Sequence, residues 1–194
     1  MPDAQLILAS TSTYRRLLLD RLGLAYTVKP PETEESPLPG EAPNILAARL
    51  ARAKADAVAL RNPHAWVIGS DQVAECEGGA LGKPGNHTTA VAQLRAASGR
   101  KLRFHTAACL RCVSADFAML HCDVTDVMFR SLDDGSIERY LHAERPYDCA
   151  GSFKSEGMGI ALFESIRSND PTALIGLPLI ALARMLREAG FSVP

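Results

Sequence analysis

The chain has 194 residues, 47% hydrophobic and 22% charged, with a formal net charge of −1, a composition that suits one soluble globular domain with a sizeable core. That balance excludes a broad basic surface for nucleic acid, whose binding rests on many Lys and Arg contacts to phosphates, while leaving room for a small anion in a local basic pocket. No apolar run reaches membrane-spanning length and the first residues carry no charged segment followed by an apolar one, so the expectation is a cytoplasmic protein with neither a membrane nor a nucleic-acid partner.

Leu6-Ile7-Leu8-Ala9 reads as a buried strand that stops in Ser10-Thr11-Ser12 and opens a helix over Thr13–Leu22, closed by Gly23. Ser12 is a good N-cap, the first-turn amides lack intrahelical partners, and Arg15 can offer a bidentate fork; together these make the layout of an anion site. A short strand at Tyr26–Val28 runs into Pro30-Pro31-Glu32-Thr33-Glu34-Glu35-Ser36-Pro37, which its prolines keep out of regular helix. The apolar spacing then predicts a helix over Pro43–Leu60, stopped by Asn62-Pro63. Trp66-Val67-Ile68-Gly69 is a buried strand whose end emits Ser70-Asp71-Gln72, and Val73–Leu81 is a hairpin turning at Gly78-Gly79.

A helix over Thr88–Ala97 follows Gly82-Lys83-Pro84, and residues 101–113 and 116–130 alternate as two long strands. Cys109 and Cys112 have a redox-like spacing. In a strand, however, residues three apart face opposite sides, so these two cannot share a ligand, and five cysteines without a disulfide framework are expected to be reduced. A short helix over Asp133–Ala143, loop and strand over Cys149–Glu164, and a last helix opened by Gly176-Leu177-Pro178 and ended by Gly190 complete the chain. The order predicts an α/β fold: a mixed twisted sheet with flanking helices, in a single domain over residues 1–194 made of two closely joined lobes around a central cleft.

Asp71, following an apolar strand directly, suits a divalent cation or a bound water, and suits a turn or cap equally well. Glu34 and Glu35 form either a solvated acidic loop or cation ligands opposite Asp71. Lys54 and Lys83 can act as point cations, and Gly and Pro on either side aim Lys83. The loop Gly151-Ser152-Phe153-Lys154-Ser155-Glu156-Gly157 could touch a base or ribose or simply turn, and Asp170-Pro171-Thr172 initiates a turn. The five histidines form no close cluster in the sequence, and no Ser-His-Asp or Cys-His arrangement supports nucleophilic catalysis. Neither a Walker loop nor a dinucleotide fingerprint is present.

Taken in order, Ala9 to Arg16, Glu34-Glu35, Lys54, Gly69-Ser70-Asp71-Gln72-Val73, Gly82-Lys83-Pro84, Ala150 to Gly157 and Ile175 to Leu179 resemble the Maf family of nucleotide pyrophosphatases over essentially the whole chain. The resemblance implies a fold related to inosine triphosphate pyrophosphatases. It also implies hydrolysis of a nucleoside triphosphate to monophosphate and pyrophosphate, dependent on a divalent metal cation (Mg²⁺ or Mn²⁺) and carried out by a homodimer. Carried over by position, Asp71 matches the proton acceptor and, with Glu35, would hold the metal. Ser10, Ser12 and Arg15 match the phosphate-contacting loop; Lys54 and Lys83 match polar cleft residues that bind substrate. Gln72 and Glu156 look like the branch acting on 7-methyl-GTP, whereas the dTTP and UTP branch tends to carry Thr and Gln there. Tyr14 stands where the first branch commonly has Trp and the second Arg; an aromatic face suits a purine made cationic by N7-methylation. Thr13 departs from the family's usual Pro. The alternatives are a dTTP/UTP pyrophosphatase and a non-catalytic nucleotide-binding regulator of division or septum formation.

Overall fold

In a computed structural model, residues 5–194 are described. β1 (Leu6–Ala9) is buried at every position, as an unbroken apolar run requires of an inner parallel strand. It pairs in parallel with β2 (Thr27–Lys29) and with β3 (Trp66–Cys76). β3 continues antiparallel into β5 (Lys101–Cys112), β6 (Phe117–Phe129) and β7 (Phe163–Arg167), with the short β4 (Gly79–Leu81) folded back on its end. One sheet, ordered β2-β1-β3-β5-β6-β7, is therefore parallel on one side of β3 and antiparallel on the other.

The sequence ends this strand at Gly69; the structure carries it on to Cys76. The reason is pairing: β1 stops opposite Gly69, but β5 supplies partners as far as Glu75. Asp71 consequently sits in mid-strand opposite Ala107 rather than in a loop. Alternation along the strand then sends Gly69, Asp71 and Val73 to one face and Ser70 and Gln72 to the other.

The first face is covered by α2 (Pro43–Ala59), whose Leu46, Leu50, Ala51 and Ala55 pack with Val73, Ala107 and Cys109. Gly69 sets how close it comes: a Cβ there would lie 2.2 Å from the Ala51 carbonyl oxygen and 2.5 Å from the Ala55 nitrogen. Only a residue without a side chain permits this backbone contact, and the contact brings Lys54 of α2 over Asp71. The opposite face holds α1 (Thr13–Leu19) and α5 (Leu179–Glu188), packed on Leu6, Leu8, Trp66, Ile68 and Leu110. As the spacing predicts, Cys109 belongs to the α2 side and Cys112 to the α5 side, and all five thiols are free.

α1 starts on the expected cap, with Ser12 Oγ accepting from the Arg15 amide, and ends through a 3-10 turn at Gly23, φ +65°. The antiparallel half packs α3 (His87–Ala97) and α4 (Asp134–Glu144) around Phe104, Phe129, Phe153 and Phe163, whose rings meet edge-on at 4.8–5.7 Å. Packing α3 on α4 corrects one expectation. His87 and His142, 55 residues apart and so unlinked by any local spacing, stack with centroids 5.2 Å apart beside Glu138. Among the described residues, no helix is long and apolar enough to cross a membrane.

Candidate active site

A cavity of about 690 Å³ opens beside the middle of β3, within the range typical of small-molecule sites. Ser10, Ser12, Tyr14 and Arg15 enter it from the β1–α1 junction, and Glu35 from the proline-bounded loop. Lys54, Asp71 and Gln72 come from α2 and β3, Lys83 from the segment after β4, and Glu156 from the late loop. Residues up to 166 positions apart, Ser10 and Gly176, thus share one concave surface; Glu34 does not line it, and its carboxylate instead accepts from the Ser36 amide.

At the centre, the Lys54 ammonium lies 2.7 Å from Asp71 Oδ1 and 2.8 Å from Glu35 Oε1. Lys54 and Asp71 are only 5% and 7% exposed, and each buried charge has an opposite charge in contact, as burial requires. Glu35 reaches in from a loop that α2 itself holds. Arg49 forks onto Glu41 at 2.6 and 2.8 Å and donates to the Ser36 carbonyl at 3.1 Å; its fork, followed by the Leu38 amide, pulls the Glu41 carboxyl down to about 2. The sequence gives no sign that this arginine organises the acidic loop. Its removal is expected to raise KM for a triphosphate more than it lowers kcat, a split that steady-state kinetics on Arg49→Ala checks.

Arg15 is held by one edge. Its Nε donates to the Gly176 carbonyl at 2.8 Å, and among the described residues its two terminal nitrogens have no hydrogen-bond partner. Burial pushes this guanidinium below its ordinary range, while Asp71 and Glu35 pull it back up. Gly176 adopts φ +126°, and Ser70 Oγ lies 3.0 Å from the same carbonyl. Beside it, Gln72 Nε2 sits 3.0 Å from the Ala173 carbonyl, 2.9 Å from that of Leu174 and 3.0 Å from Thr106 Oγ1. The donors of Gln72 therefore fasten the 173–176 turn that aims Arg15. Asp170 does more than start a turn: it is buried and accepts from the Thr172 and Ile180 amides, joining that segment to α5.

Ser10 and Ser12 shape their junction locally, Ser10 Oγ accepting from the Ser12 amide at 3.0 Å and Ser12 Oγ from that of Arg15 at 3.4 Å. Lys83 is exposed and, among the described residues, free of ion pairs. On the far wall, the Tyr14 hydroxyl lies 3.5 Å from Asp148 Oδ2 and 3.8 Å from the Cys149 sulfur. Burial first, then Cys149, raises the phenol well above its usual range, so the ring stays neutral; burial likewise pushes the Cys149 thiol up to about 12. Glu156 is exposed at the rim, whereas Lys154 turns away to donate to the Glu144 carbonyl at 3.1 Å. Asp148 and Thr106 belong to the site without any sequence motif to announce them, and the Gly176 carbonyl, though within the Ile175–Leu179 motif, shows its use only in its contact with Arg15.

The donor set fits a hard divalent cation. Lys54 engages one oxygen each of Asp71 and Glu35, and among the described residues no hydrogen bond engages the other two. Two carboxylate oxygens in one cavity are the usual protein share of a Mg²⁺ site completed by phosphate and water.

Residues 5–189 match the family described as Maf-like protein. The chain is 60% identical over 190 residues to a protein of Xanthomonas oryzae pv. oryzae (strain MAFF 311018) named 7-methyl-GTP pyrophosphatase, covering 98% of this chain and 99% of that one. It is 61% identical over 191 residues to a protein of the same name from Xanthomonas campestris pv. campestris (strain 8004), covering 98% of each. A solved structure, that of the Staphylococcus aureus Ham1 protein, aligns with a TM-score of 0.46 at 16% identity, over 64% of this chain and 71% of that one. With a family match spanning nearly every described residue and relatives this similar end to end, the chain belongs to the Maf family.

Proposed function

We propose that the protein hydrolyses the α–β phosphoanhydride of a nucleoside triphosphate, 7-methyl-GTP by preference, releasing the nucleoside monophosphate and pyrophosphate. The observation that carries this reading is the convergence of Arg15, Lys54 and Lys83 with Asp71 and Glu35 in one cavity. The names of the two Xanthomonas relatives support both the reaction and the substrate.

The terminal nitrogens of Arg15 and the ammonium of Lys83, without hydrogen-bond or ion-pair partners among the described residues, bind the β- and γ-phosphate oxygens and take up the charge that grows on departing pyrophosphate. Lys54 aims the Asp71 carboxylate through its 2.7 Å contact. Asp71 accepts a proton from the attacking water as its oxygen bonds to the α-phosphorus and the bridging oxygen leaves with the β-phosphate. A divalent cation on the free oxygens of Asp71 and Glu35, Mg²⁺ or Mn²⁺, would supply further polarisation of the phosphate oxygens. Ser10 and Ser12 fix the junction that presents Arg15, and Gln72 fixes the turn behind it.

Tyr14 offers a neutral aromatic face to a purine that N7-methylation makes cationic, and the Glu156 carboxylate at the rim complements that charge. Tyr14→Leu is accordingly expected to narrow the preference for 7-methyl-GTP over GTP by about 10- to 30-fold in kcat/KM, the equivalent of a desolvated cation–π contact of about 1.4–2 kcal/mol. Glu156→Gln is expected to narrow it further. A panel of canonical and methylated triphosphates with Mg²⁺ or Mn²⁺, reading pyrophosphate against orthophosphate, tests the whole reading. Orthophosphate as the product would overturn α–β cleavage, and preference for dTTP or UTP would overturn the base assignment. Tight nucleotide binding without product would favour a regulator. We place the activity in a cytoplasmic homodimer, for which the exposed Met158, Ile160 and Ile166 near the open edge of β7 offer apolar surface; light scattering of the eluting protein tests the dimer.

A further inference from the structure

Away from the cavity's carboxylates, His87, Glu138 and His142 bring three ligand atoms within 4.8 Å of one another. We propose that they form a second metal site, one for a zinc-class transition ion, on the outer side of the α3–α4 pair. His87 Nε2 lies 2.8 Å from Glu138 Oε2, and His142 Nε2 lies 3.5 Å from the same oxygen. Ligands held about 2.0–2.2 Å from a tetrahedral zinc stand about 3.3–3.5 Å apart. The observed separations bracket that spacing, so small side-chain rotations complete the site without moving either helix.

The backbone positions of all three ligands are fixed. Glu138 and His142 are one helical turn apart on a single face of α4. His87 is the first residue of α3, whose start is set by Asn86 accepting from the Thr89 amide at 2.9 Å. His87 Nε2 alone would tether α3 to α4 through Glu138. A second ring, stacked on the first at 29° and turned so that its Nε2 faces the same oxygen, is what a shared ion requires. His87 also has an outer partner: its Nδ1 lies 3.0 Å from the Tyr147 hydroxyl. With Nε2 on the metal, Nδ1–H donates to that oxygen, fixing the tautomer and ring plane as outer partners of metal-bound histidines do.

Two imidazoles and one carboxylate select Zn²⁺, Co²⁺, Ni²⁺ or Cu²⁺ over Mg²⁺, which prefers oxygen ligands. His142 has 73% of its side chain exposed, so water can fill the fourth position. The site also touches the cavity wall. Gly85 donates to the Tyr147 carbonyl at 3.0 Å, Lys83 precedes it by two residues, and Asp148 and Cys149 follow Tyr147 into the cavity.

The test is titration of Zn²⁺ into the full chain in millimolar Mg²⁺, which occupies oxygen-donor sites, with imidazole resonances followed by long-range ¹H–¹⁵N NMR. His87 and His142 are expected to shift together and saturate at one equivalent, while His64, His105 and His121 stay in place. Co²⁺ should give a ligand-field spectrum without a thiolate charge-transfer band. His142→Ala and Glu138→Gln should each weaken binding at least about tenfold, and Tyr147→Phe should weaken it about tenfold. No histidine shift in excess Zn²⁺, a thiolate band, or wild-type affinity in His142→Ala would each overturn the proposal. Pyrophosphate release in Mg²⁺ alone, measured on wild type and His142→Ala, is expected to be equal; the two functional readings therefore fail separately.

Discussion

Asp71→Asn is expected to lower kcat for triphosphate hydrolysis by about 10²–10⁴-fold, the range for loss of a positioned general base, with little change in folding. The substitution keeps the shape of the side chain and an oxygen that can accept from Lys54 at the position now 2.7 Å away. What it removes is the negative charge and, on the proposed reading, the acceptor for the water's proton. Lys54, almost wholly buried, retains Glu35 as a charged partner at 2.8 Å, so it is not left uncompensated. Lys54→Met gives the contrasting outcome: it strips the cation from a buried carboxylate, and breaking such a pair costs about 3–5 kcal/mol. Pyrophosphate release and thermal unfolding measured together on both variants separate chemistry from stability. Wild-type turnover in Asp71→Asn would remove that residue from the reaction.

The elements that position this site were legible where a local rule governs them. Ser12 caps α1 and Gly23 ends the turn beyond it, because capping and left-handed φ depend on a residue and its near neighbours. Cys109 and Cys112 divide between two faces for the same reason, the two-residue period of a strand. The length of β3 was not legible, because nothing within Ser70-Asp71-Gln72 indicates that β5 will pair with it. Nor was the use of Gln72, whose amide is engaged by carbonyls about 100 positions later. Arg49 and the His87–His142 stack escaped similarly: each interaction exists only once one element is laid on another. The chemistry was visible through an ordered set of motifs, whereas the parts that Gln72 and Arg49 play in aiming it are visible only in three dimensions.

Gly69→Ala is expected to do more damage than its single methyl group suggests. Ordinary overpacking costs about 1–3 kcal/mol because flexible side chains can yield. Here the new Cβ would meet main-chain atoms, the Ala51 oxygen at 2.2 Å and the Ala55 nitrogen at 2.5 Å, with the Ala55 Cβ at 2.9 Å. Relief requires α2 to move off β3, which opens the Ala-rich core and carries Lys54 away from Asp71. The expected result is a fall in the urea midpoint worth at least about 3 kcal/mol, with activity lost in whatever fraction still folds. Gly82→Ala is the control for stability: its Cβ meets nothing within 4 Å, and its midpoint should match wild type. A rescue experiment sharpens the point. Adding Ala55→Gly removes the contact with the Ala55 methyl but neither of the shorter ones to the backbone, so the double variant should remain as unstable as Gly69→Ala. Restoration of the midpoint by Ala55→Gly would mean that side-chain crowding, and not the approach of helix to strand, sets the separation of Lys54 from Asp71.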